Sequence, residues 1–361
     1  MMIPEGWPTL TTYIDFECLA SPRAAAGRNK AAAARPVLLG VLSEDNVART
    51  ELHQVILDPR LASARVAAGR LTVATLGGAL DRLLGEQARA PIVSWSTFDL
   101  EVIEADQEVS AALRHSVRTR HINGLTIGRK WRRLVRPSIA LPTDAEGAIV
   151  HELKAYMRGV GIRPPRGLTP PRPAAWARYV LDRLAAHDGR YRSLEPAAKT
   201  AWHKLIEYNR LDCEGLRVVY TRAVRELALW EAYRHTTYVV ALEDPIPIRI
   251  GWNPRRLRRL LQAHNVSTWA FITAWNPGSV ALPEAQNARR NEALAGDLRR
   301  WTLVAGQGVG DDGTPPEGSF LVLGIGREAA VAAARRYGQL AIVCGTLETG
   351  AELVPCEPPI R

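Results

Sequence analysis

The sequence predicts an α/β protein in which an RNase H-like mixed sheet with flanking helices is followed by a second, smaller α/β domain. Two observations lead to this class. Short apolar runs bounded by turn residues alternate with segments of helical periodicity, and the composition changes near residue 235, after which lysine disappears. Because 361 residues exceed one ordinary core, we expect domains at residues 1–234 and 235–361.

The first domain is predicted to begin with a strand at residues 12–20, TYIDFECLA. Apolar runs at residues 37–42 and 52–57 predict two further strands. Within residues 71–87, leucines recur at i, i+4, i+7 and i+8, the spacing of one helical face, and residues 90–95 return as a strand. The order β-β-β-α-β is that of an RNase H-like mixed sheet.

Further elements follow the same patterns. A helix is expected from about Phe98, with Asp99 in its first turn, and two amphipathic helices at residues 174–187 and 196–230. In the second domain, strands are predicted at residues 237–242, 269–275, 320–325 and 339–344, and helices at residues 253–264, 284–301 and 328–337.

The first strand carries two acids, Asp15 and Glu17, on the face opposite Ile14 and Phe16. Neighbouring carboxylates repel each other and resist burial, so such a pair indicates either a solvated strand face or a cation site at the edge of a sheet. On the last long helix, Tyr208 and Asp212 are four residues apart and share one face. Alone, this pair favours a surface aspartate beside a half-buried tyrosine, an arrangement that is common by chance.

Taken in order, Asp15, Glu17, Asp99, Tyr208 and Asp212 resemble the four acids and the tyrosine of the DEDD superfamily of 3′-to-5′ exonucleases, in its tyrosine-bearing branch. The amino-acid sequence around YNRLD is most similar to that of predicted bacterial RNase H-like nucleases of that branch. The resemblance covers about residues 10–230. It implies hydrolysis of phosphodiester bonds in DNA or RNA, at single-stranded 3′ ends.

The resemblance also implies a cofactor of two Mg²⁺ or Mn²⁺ ions held by Asp15, Glu17, Asp99 and Asp212. Two such ions stabilise charge on both the attacking and the leaving oxygen, and hard cations prefer carboxylate ligands. The Tyr208 hydroxyl is then expected to orient the attacking water. One departure concerns the second motif, which usually carries an asparagine or histidine before its aspartate. Here the run is PIVSWSTFDLEVIE, in which Glu101 is a reserve candidate ligand.

The chain is basic, with a net charge of +10 and a pI near 9.8. Most of the excess precedes residue 235, and residues 109–143 contain no acid. Either arginine-rich composition or a polyanionic partner explains the excess, and an unopposed segment favours a track that binds the phosphates of nucleic acid. Its members are Arg114, Arg118, Arg120, Arg129, Lys130, Arg132, Arg133 and Arg136.

The second domain resembles an uncharacterised domain-of-unknown-function family (number 3293) over about residues 237–355. The sequence segments that carry this resemblance are FITAWNP, NARRNEAL, EGSFLVLGI and YGQLAIV. Polar side chains occupy the i, i+3, i+4 positions of a helix that usually face the core. They indicate either a solvent face or a polar pocket. The proposed pocket residues are Thr273, Trp275, Asn276, Asn287, Arg290, Asn291, Glu317 and Gln339.

The four cysteines are scattered and lack zinc-site spacing, and the sequence shows neither a signal peptide nor a membrane-spanning run. We therefore expect a cytoplasmic protein without membrane partners. The favoured function is a metal-dependent 3′-to-5′ exonuclease whose C-terminal domain selects the substrate or a protein partner. The alternative is a non-catalytic nucleic-acid-binding subunit of a larger complex that uses the nuclease fold as a scaffold.

Overall fold

The computed structural model describes residues 11–19, 34–44, 49–68, 71–85, 89–168, 173–311, 313 and 315–357. These residues form two compact units. The N-terminal unit lies within Pro4–Arg129 and Ala140–Arg222, and the C-terminal unit within Lys130–Ile139 and Ala223–Arg361. The change of unit therefore falls inside a helix, and one segment of the basic stretch joins the C-terminal unit. Independent folding of residues 1–234 and 235–361 stays a prediction.

The N-terminal unit contains a six-stranded mixed sheet in the order β4-β3-β2-β1-β5-β6. β1 to β3 form an antiparallel meander, whereas β5 pairs parallel with β1, β6 with β5 and β4 with β3. This arrangement confirms the predicted mixed sheet. The strands are β1 Thr11–Leu19, β2 Arg35–Glu44, β3 Thr50–Ile56, β4 Leu71–Val73, β5 Ile92–Ser94 and β6 His121–Asn123.

Helices flank this sheet, as the sequence predicts. They are α1 Leu76–Gly85, α2 Phe98–Ala105, α3 Ala111–Arg120, α4 Gly124–Leu134, α5 Leu153–Gly159, α6 Pro173–Ala186 and α7 Pro196–His235. The predicted helix at residues 71–87 is shorter than expected, because β4 takes its first residues. The Thr75 hydroxyl then accepts a hydrogen bond from the Gly78 backbone at 3.2 Å, which caps α1.

Two apolar cores hold the sheet between its helices. On one face, Ile14 and Phe16 of β1 join Leu80 of α1 and Ile103 of α2. On the other, Val180 of α6 and Trp202 and Leu205 of α7 pack over β2 and β3. The alternation along β1 therefore places Asp15 and Glu17 on the side of the sheet that α7 covers.

The C-terminal unit contains a seven-stranded antiparallel sheet in the order β13-β12-β9-β11-β10-β7-β8. α9 and α10 pack through Leu294 and Ala330 against Ala270, Ile272 and Val322. Its elements are β7 Thr237–Val240, β8 Ile246–Ile248, α8 Arg255–Ala263, β9 Thr268–Ile272, α9 Glu284–Asp297, β10 Thr302–Val309, β11 Glu317–Leu323, α10 Arg327–Arg336, β12 Ala341–Thr346 and β13 Glu352–Pro355. A second, smaller α/β unit is thus confirmed. None of the helices described above has an apolar stretch long enough to cross a membrane.

Candidate active site

Three carboxylates from two distant segments meet in the N-terminal unit. One oxygen each of Asp15, Glu17 and Asp212 lies within 4.8 Å of the others. α7 reaches β1 because Asp15 pairs across the sheet with Gly40, which has no side chain. A Cβ atom on Gly40 would lie 2.5 Å from Asn209 Oδ1 on α7. The close approach of this helix therefore depends on a glycine in the neighbouring strand.

Asn209 fixes the position of Asp15. Its Nδ2 group donates to the Asp15 backbone oxygen and to Asp15 Oδ2, both at 3.0 Å. Gln54 in turn donates to Asn209 Oδ1 at 2.9 Å and to the Ile206 backbone oxygen at 2.9 Å. Asn209 is fully buried, so this chain of hydrogen bonds sets its orientation. Sequence reasoning missed both amides, although Asn209 lies inside the YNRLD motif.

Asp99 lies beside the cluster, in the first turn of α2. Its Oδ1 accepts a hydrogen bond from the backbone N–H of Phe16 at 3.2 Å, which ties it to β1 between Asp15 and Glu17. Burial, with the charge of Asp15, raises the pKa of Asp99 to about 8. Glu101 is exposed and accepts a hydrogen bond from the Thr97 hydroxyl instead. The structure therefore brings Asp99, rather than the reserve candidate, to the site.

The electrostatics of the cluster favour a bound cation. Burial raises the pKa of Glu17 well above its usual range, and the charge of Asp15 adds to this effect. Burial also raises the pKa of Asp15, against the opposing effect of Lys154. Glu17 Oε1 is buried and accepts no hydrogen bond from the described residues. Repelling carboxylates with an unpartnered oxygen fit a divalent metal ion, which would supply both charge and coordination.

Lys154, on α5, enters the same cluster. Its ammonium group forms an ion pair with Asp212 and lies 4.1 Å from the centroid of the Tyr208 ring. Its side chain is only 14% exposed. Burial lowers the pKa of Lys154 to about 8, although Asp15 and Glu17 oppose that shift. Sequence reasoning missed this residue because one lysine in HELKAYM carries no positional signal for a site on another element.

Tyr208 lies one helical turn before Asp212, as predicted. Its ring packs edge-on against Trp176, with 6.1 Å between centroids. Burial, together with the charges of Glu17 and Asp15, raises the pKa of Tyr208, so the phenol stays protonated. The hydroxyl forms no hydrogen bond with the residues that the structure describes, which leaves it free to contact a ligand.

The basic stretch does not form one uniform track. Several members bind other groups of the protein. Three of them donate hydrogen bonds to backbone oxygens: Arg114 to Asp106, Arg120 to Ala90 and Ser116, and Arg132 to Ile139. Two others form ion pairs, Arg118 with Glu104 and Lys130 with Glu231, the latter at 3.6 Å. Arg129 and Arg133 are exposed. Arg129 lies in the N-terminal unit and Arg133 in the C-terminal unit.

Arg136 contradicts its predicted role as a phosphate contact. It is 4% exposed, and its guanidinium group donates to both carboxylate oxygens of Glu226 at 2.6 and 2.8 Å. Glu226 also accepts from the Trp131 indole at 2.8 Å. A buried, paired arginine of this kind cannot reach a phosphate group, and it holds the segment Lys130–Ile139 within the C-terminal unit.

A cavity of about 620 Å³ in the C-terminal unit has most of the predicted pocket residues in its walls. They are Thr273, Trp275, Asn276, Asn287, Glu317 and Gln339. Asn276 adopts a left-handed backbone with φ of 42°, and its side chain donates to Glu317 Oε1 at 2.7 Å. Asn287 donates to Asn276 Oδ1 at 2.8 Å. These side chains therefore shape the wall through contacts with one another.

Arg290 and Asn291 correct the pocket prediction. Neither lines the cavity. Arg290 donates to the backbone oxygens of Ala274 and Tyr337 at 2.9 and 2.6 Å, and Asn291 accepts from the Ala274 N–H at 2.8 Å and donates to the Gly318 backbone oxygen at 2.7 Å. The polar face of α9 thus satisfies backbone groups at the ends of β9 and β11 and at the C-terminus of α10. It is neither the solvent face nor the complete pocket wall that the sequence indicated.

Comparisons with known proteins follow the same division. A family model described as a protein of unknown function (DUF3293) matches residues 272–342, which confirms the resemblance predicted for the C-terminal part. No curated protein matches the chain. Among solved structures, the chain is similar to a product-bound exonuclease I, with 13% identity, coverage of 68% of this chain and 56% of that chain, and a TM-score of 0.30.

Two further similar structures carry the same protein name. One is E. coli exonuclease I in complex with a dT13 oligonucleotide, with 12% identity, coverage of 83% of this chain and 51% of that chain, and a TM-score of 0.30. The other is a moderately thermophilic exonuclease I from Methylocaldum szegediense, with 13% identity, coverage of 97% and 66%, and a TM-score of 0.28. The chain spans between half and two thirds of their length.

Proposed function

We propose that the protein is a metal-dependent 3′-to-5′ exonuclease that hydrolyses phosphodiester bonds of single-stranded DNA or RNA. The observation that carries this proposal is the meeting of Asp15, Glu17 and Asp212, with Asp99 beside them, around a buried oxygen that has no hydrogen-bond partner among the described residues. A purely structural site has no need to gather acids that raise one another's pKa.

The four acids would hold two Mg²⁺ or Mn²⁺ ions. When bound, these ions supply positive charge to the attacking and leaving oxygens of the reacting phosphate. Asn209 keeps Asp15 in place, and the Phe16 backbone keeps Asp99 in place, so the ligand set is organised before any ligand arrives. The protonated Tyr208 hydroxyl orients the attacking water.

Lys154 serves as the counter-charge of the cluster in the absence of divalent ions. Its flexible side chain can release Asp212 and turn its ammonium group to a substrate phosphate, where its donors and charge favour binding. Arg129 is exposed and forms no ion pair with the residues whose positions the structure describes, so this member of the basic track can make a further phosphate contact. In the C-terminal unit, the cavity around Trp275 and Glu317 would select the substrate or a protein partner.

The ion pair between Lys154 and Asp212 also favours the alternative function, a nucleic-acid-binding scaffold without catalysis. If the lysine neutralises the acids permanently, Mn²⁺ has no place to bind and will not change the melting temperature of the wild-type protein. As an enzyme, the protein should melt higher with Mn²⁺ than with EDTA. Lys154→Met should then increase the Mn²⁺ affinity, because a competing cation is gone. Calorimetric titration measures that affinity directly.

The test of activity uses single strands of DNA and RNA labelled at the 3′ or the 5′ end, incubated with Mn²⁺ or with EDTA. We expect shortening from the 3′ end with Mn²⁺ alone. Asp15→Asn should abolish it, because the variant loses a charged metal ligand, and should raise the melting temperature in EDTA by relieving repulsion. Asp81→Asn, an exposed aspartate on α1, is the control and should behave as wild type. Full activity of Asp15→Asn would contradict the assignment.

A further inference from the structure

A second basic segment lies in the C-terminal unit, where the near-neutral net charge of residues 236–361 conceals it. Residues 245–283 contain no aspartate or glutamate. They contain Arg249, Arg255, Arg256, Arg258 and Arg259, and four of these lie on α8. Because a solvated helix face usually carries both signs of charge, an acid-free helix of this composition indicates a partner that is itself negative.

α8 presents these arginines away from the core. Its Leu257 and Leu261 are fully buried, which holds the opposite face of the helix on the unit. Arg256 forms an ion pair with Asp244 at 2.6 Å. Arg255, Arg258 and Arg259 form no ion pair with any residue that the structure describes. These three guanidinium groups therefore have no carboxylate counter-charge within the described part of the chain.

An exposed tryptophan lies directly before this helix. Trp252 is 53% exposed, whereas the large aromatic side chains of this unit's core are buried. Its turn is fixed to the loop before β13, because Gly251 N–H donates to the Ala351 oxygen and Ala351 N–H donates to the Trp252 oxygen, both at 2.8 Å. The Arg249 guanidinium lies 5.6 Å from the centroid of the indole ring. The ring is thus an exposed flat surface on a rigid turn.

We propose that Trp252, with Arg255, Arg258 and Arg259, forms a binding surface for single-stranded nucleic acid, which we call the Trp252 surface. An unpaired base stacks on the indole ring, and the arginines contact the phosphates beside it. Stacking requires an unpaired base, which favours a single strand over a duplex. The surface takes the same class of substrate as the proposed nuclease function and rests on it in that respect, but binding here involves none of the acids.

The experiment measures binding of the full-length protein to fluorescent 30-nucleotide DNA and RNA strands of mixed sequence by anisotropy, in EDTA and over a range of NaCl concentrations. Arg255→Gln, Arg258→Gln and Arg259→Gln are combined in one variant. Trp252→Ala and Trp252→Phe are tested separately. The control combines Arg289→Gln, Arg299→Gln and Arg300→Gln, which removes the same charge from exposed positions elsewhere in the unit.

Affinity falls as salt rises, and we expect this dependence to be weaker in the arginine variant. The magnitude of the slope of log affinity against log salt should decrease by about 0.7 for each lost phosphate contact, up to about 2. Trp252→Ala should weaken binding about tenfold without changing that slope, and Trp252→Phe should keep most of the affinity. Equal losses in the control variant, or unchanged affinity and slope in the arginine variant, would overturn the proposal. The proposal would also be overturned if the arginine variant bound the strands as wild type does but no longer bound anionic lipid vesicles, since that result identifies a membrane-binding surface.

Because every measurement is made without divalent ions, the outcome is independent of catalysis. A protein that binds strands through the Trp252 surface but cuts none of them with Mn²⁺ contradicts the nuclease function alone. A protein that cuts strands normally, and whose Trp252 and arginine variants bind as wild type, contradicts the surface alone.

Discussion

Tyr208 contributes both a hydroxyl group and an aromatic ring to the site, and the two can be separated. Tyr208→Phe keeps the ring against Trp176 and leaves every carboxylate in place. We expect single-turnover cleavage to slow by an amount equivalent to about 2 to 4 kcal/mol, as for other positioned donors, with unchanged Mn²⁺ affinity. An undiminished rate would show that the tyrosine serves only in packing.

Asp99 should make the stability of the metal-free protein depend on pH. Its pKa is about 8 in the folded protein and near 3.8 when unperturbed. Between these two pH values, the folded state binds one more proton than the unfolded state. The contribution of protonated Asp99 to the free energy of unfolding is therefore full below about pH 4 and is lost as the pH rises to about 8. Each pKa unit corresponds to about 1.4 kcal/mol.

The measurement is urea unfolding in EDTA from pH 4 to 8. In the Asp99→Asn variant, the free energy of unfolding should fall less between pH 4 and 8 than it does in wild type. The variant should therefore be the more stable protein at pH 8. Asp81→Asn, which is exposed, should follow the wild-type curve. If wild type and Asp99→Asn lose stability in parallel, Asp99 does not carry a raised pKa.

At the same scale, the sequence identified the acids but not the residues that organise them. Asp15, Glu17 and Asp212 come together as their strand and helix positions predict, and Asp99 joins them through the Phe16 backbone. The roles of Gln54 and Lys154 could not be predicted from the sequence, because they arise only when β3 and α5 pack beside the site. Polar side chains with tertiary roles carry no periodic signal along the chain.

Among the elements, the contact between β2 and α7 controls the site. Gly40→Ala would place a Cβ atom 2.5 Å from Asn209 Oδ1 and 2.6 Å from Cys213 Sγ. We expect α7 to shift away from β1, with a stability loss of about 1 to 3 kcal/mol and weaker Mn²⁺ binding, because Asp212 moves with the helix. Denaturant unfolding and calorimetric titration measure the two effects.

The matched control is Gly296→Ala on α9, where an added Cβ would meet no described atom within 4 Å apart from its chain neighbours and the backbone of its own helix. This variant should be neutral or slightly stabilising, since alanine favours a helix by up to about 1 kcal/mol over glycine. Wild-type stability and Mn²⁺ affinity in Gly40→Ala would show that the glycine does not set the helix position.

The elements that the sequence missed share a physical cause. β4 and β8 have three residues each, too few for a period-2 pattern to be visible. β10 carries Gly306 and Gly308, and glycine is unfavourable in isolated strands. Gly306 is needed because a Cβ atom there would lie 2.6 Å from the Phe271 ring. Neighbouring strands, rather than local preference, determine these segments.

For the whole molecule, we predict that a chain ending at Arg234 still folds and still binds metal. Both apolar cores of the N-terminal unit consist of residues between Ile14 and Ile206. The truncated protein should unfold cooperatively and melt higher with Mn²⁺, and Asp15→Asn within it should remove that increase. Absence of a cooperative transition would contradict the predicted boundary.

The pairing of β1 with β2 links folding to function. Asp15 lies opposite Gly40 and Phe16 opposite Leu39, so one register buries the apolar residues and aligns the acids with α7. A slip of one residue would exchange the two faces of β1, placing Asp15 and Glu17 in the core and Ile14 and Phe16 in the site. A misregistered chain would thus be unstable and inactive together, so recovery of metal binding after refolding reports the fraction of molecules in native register.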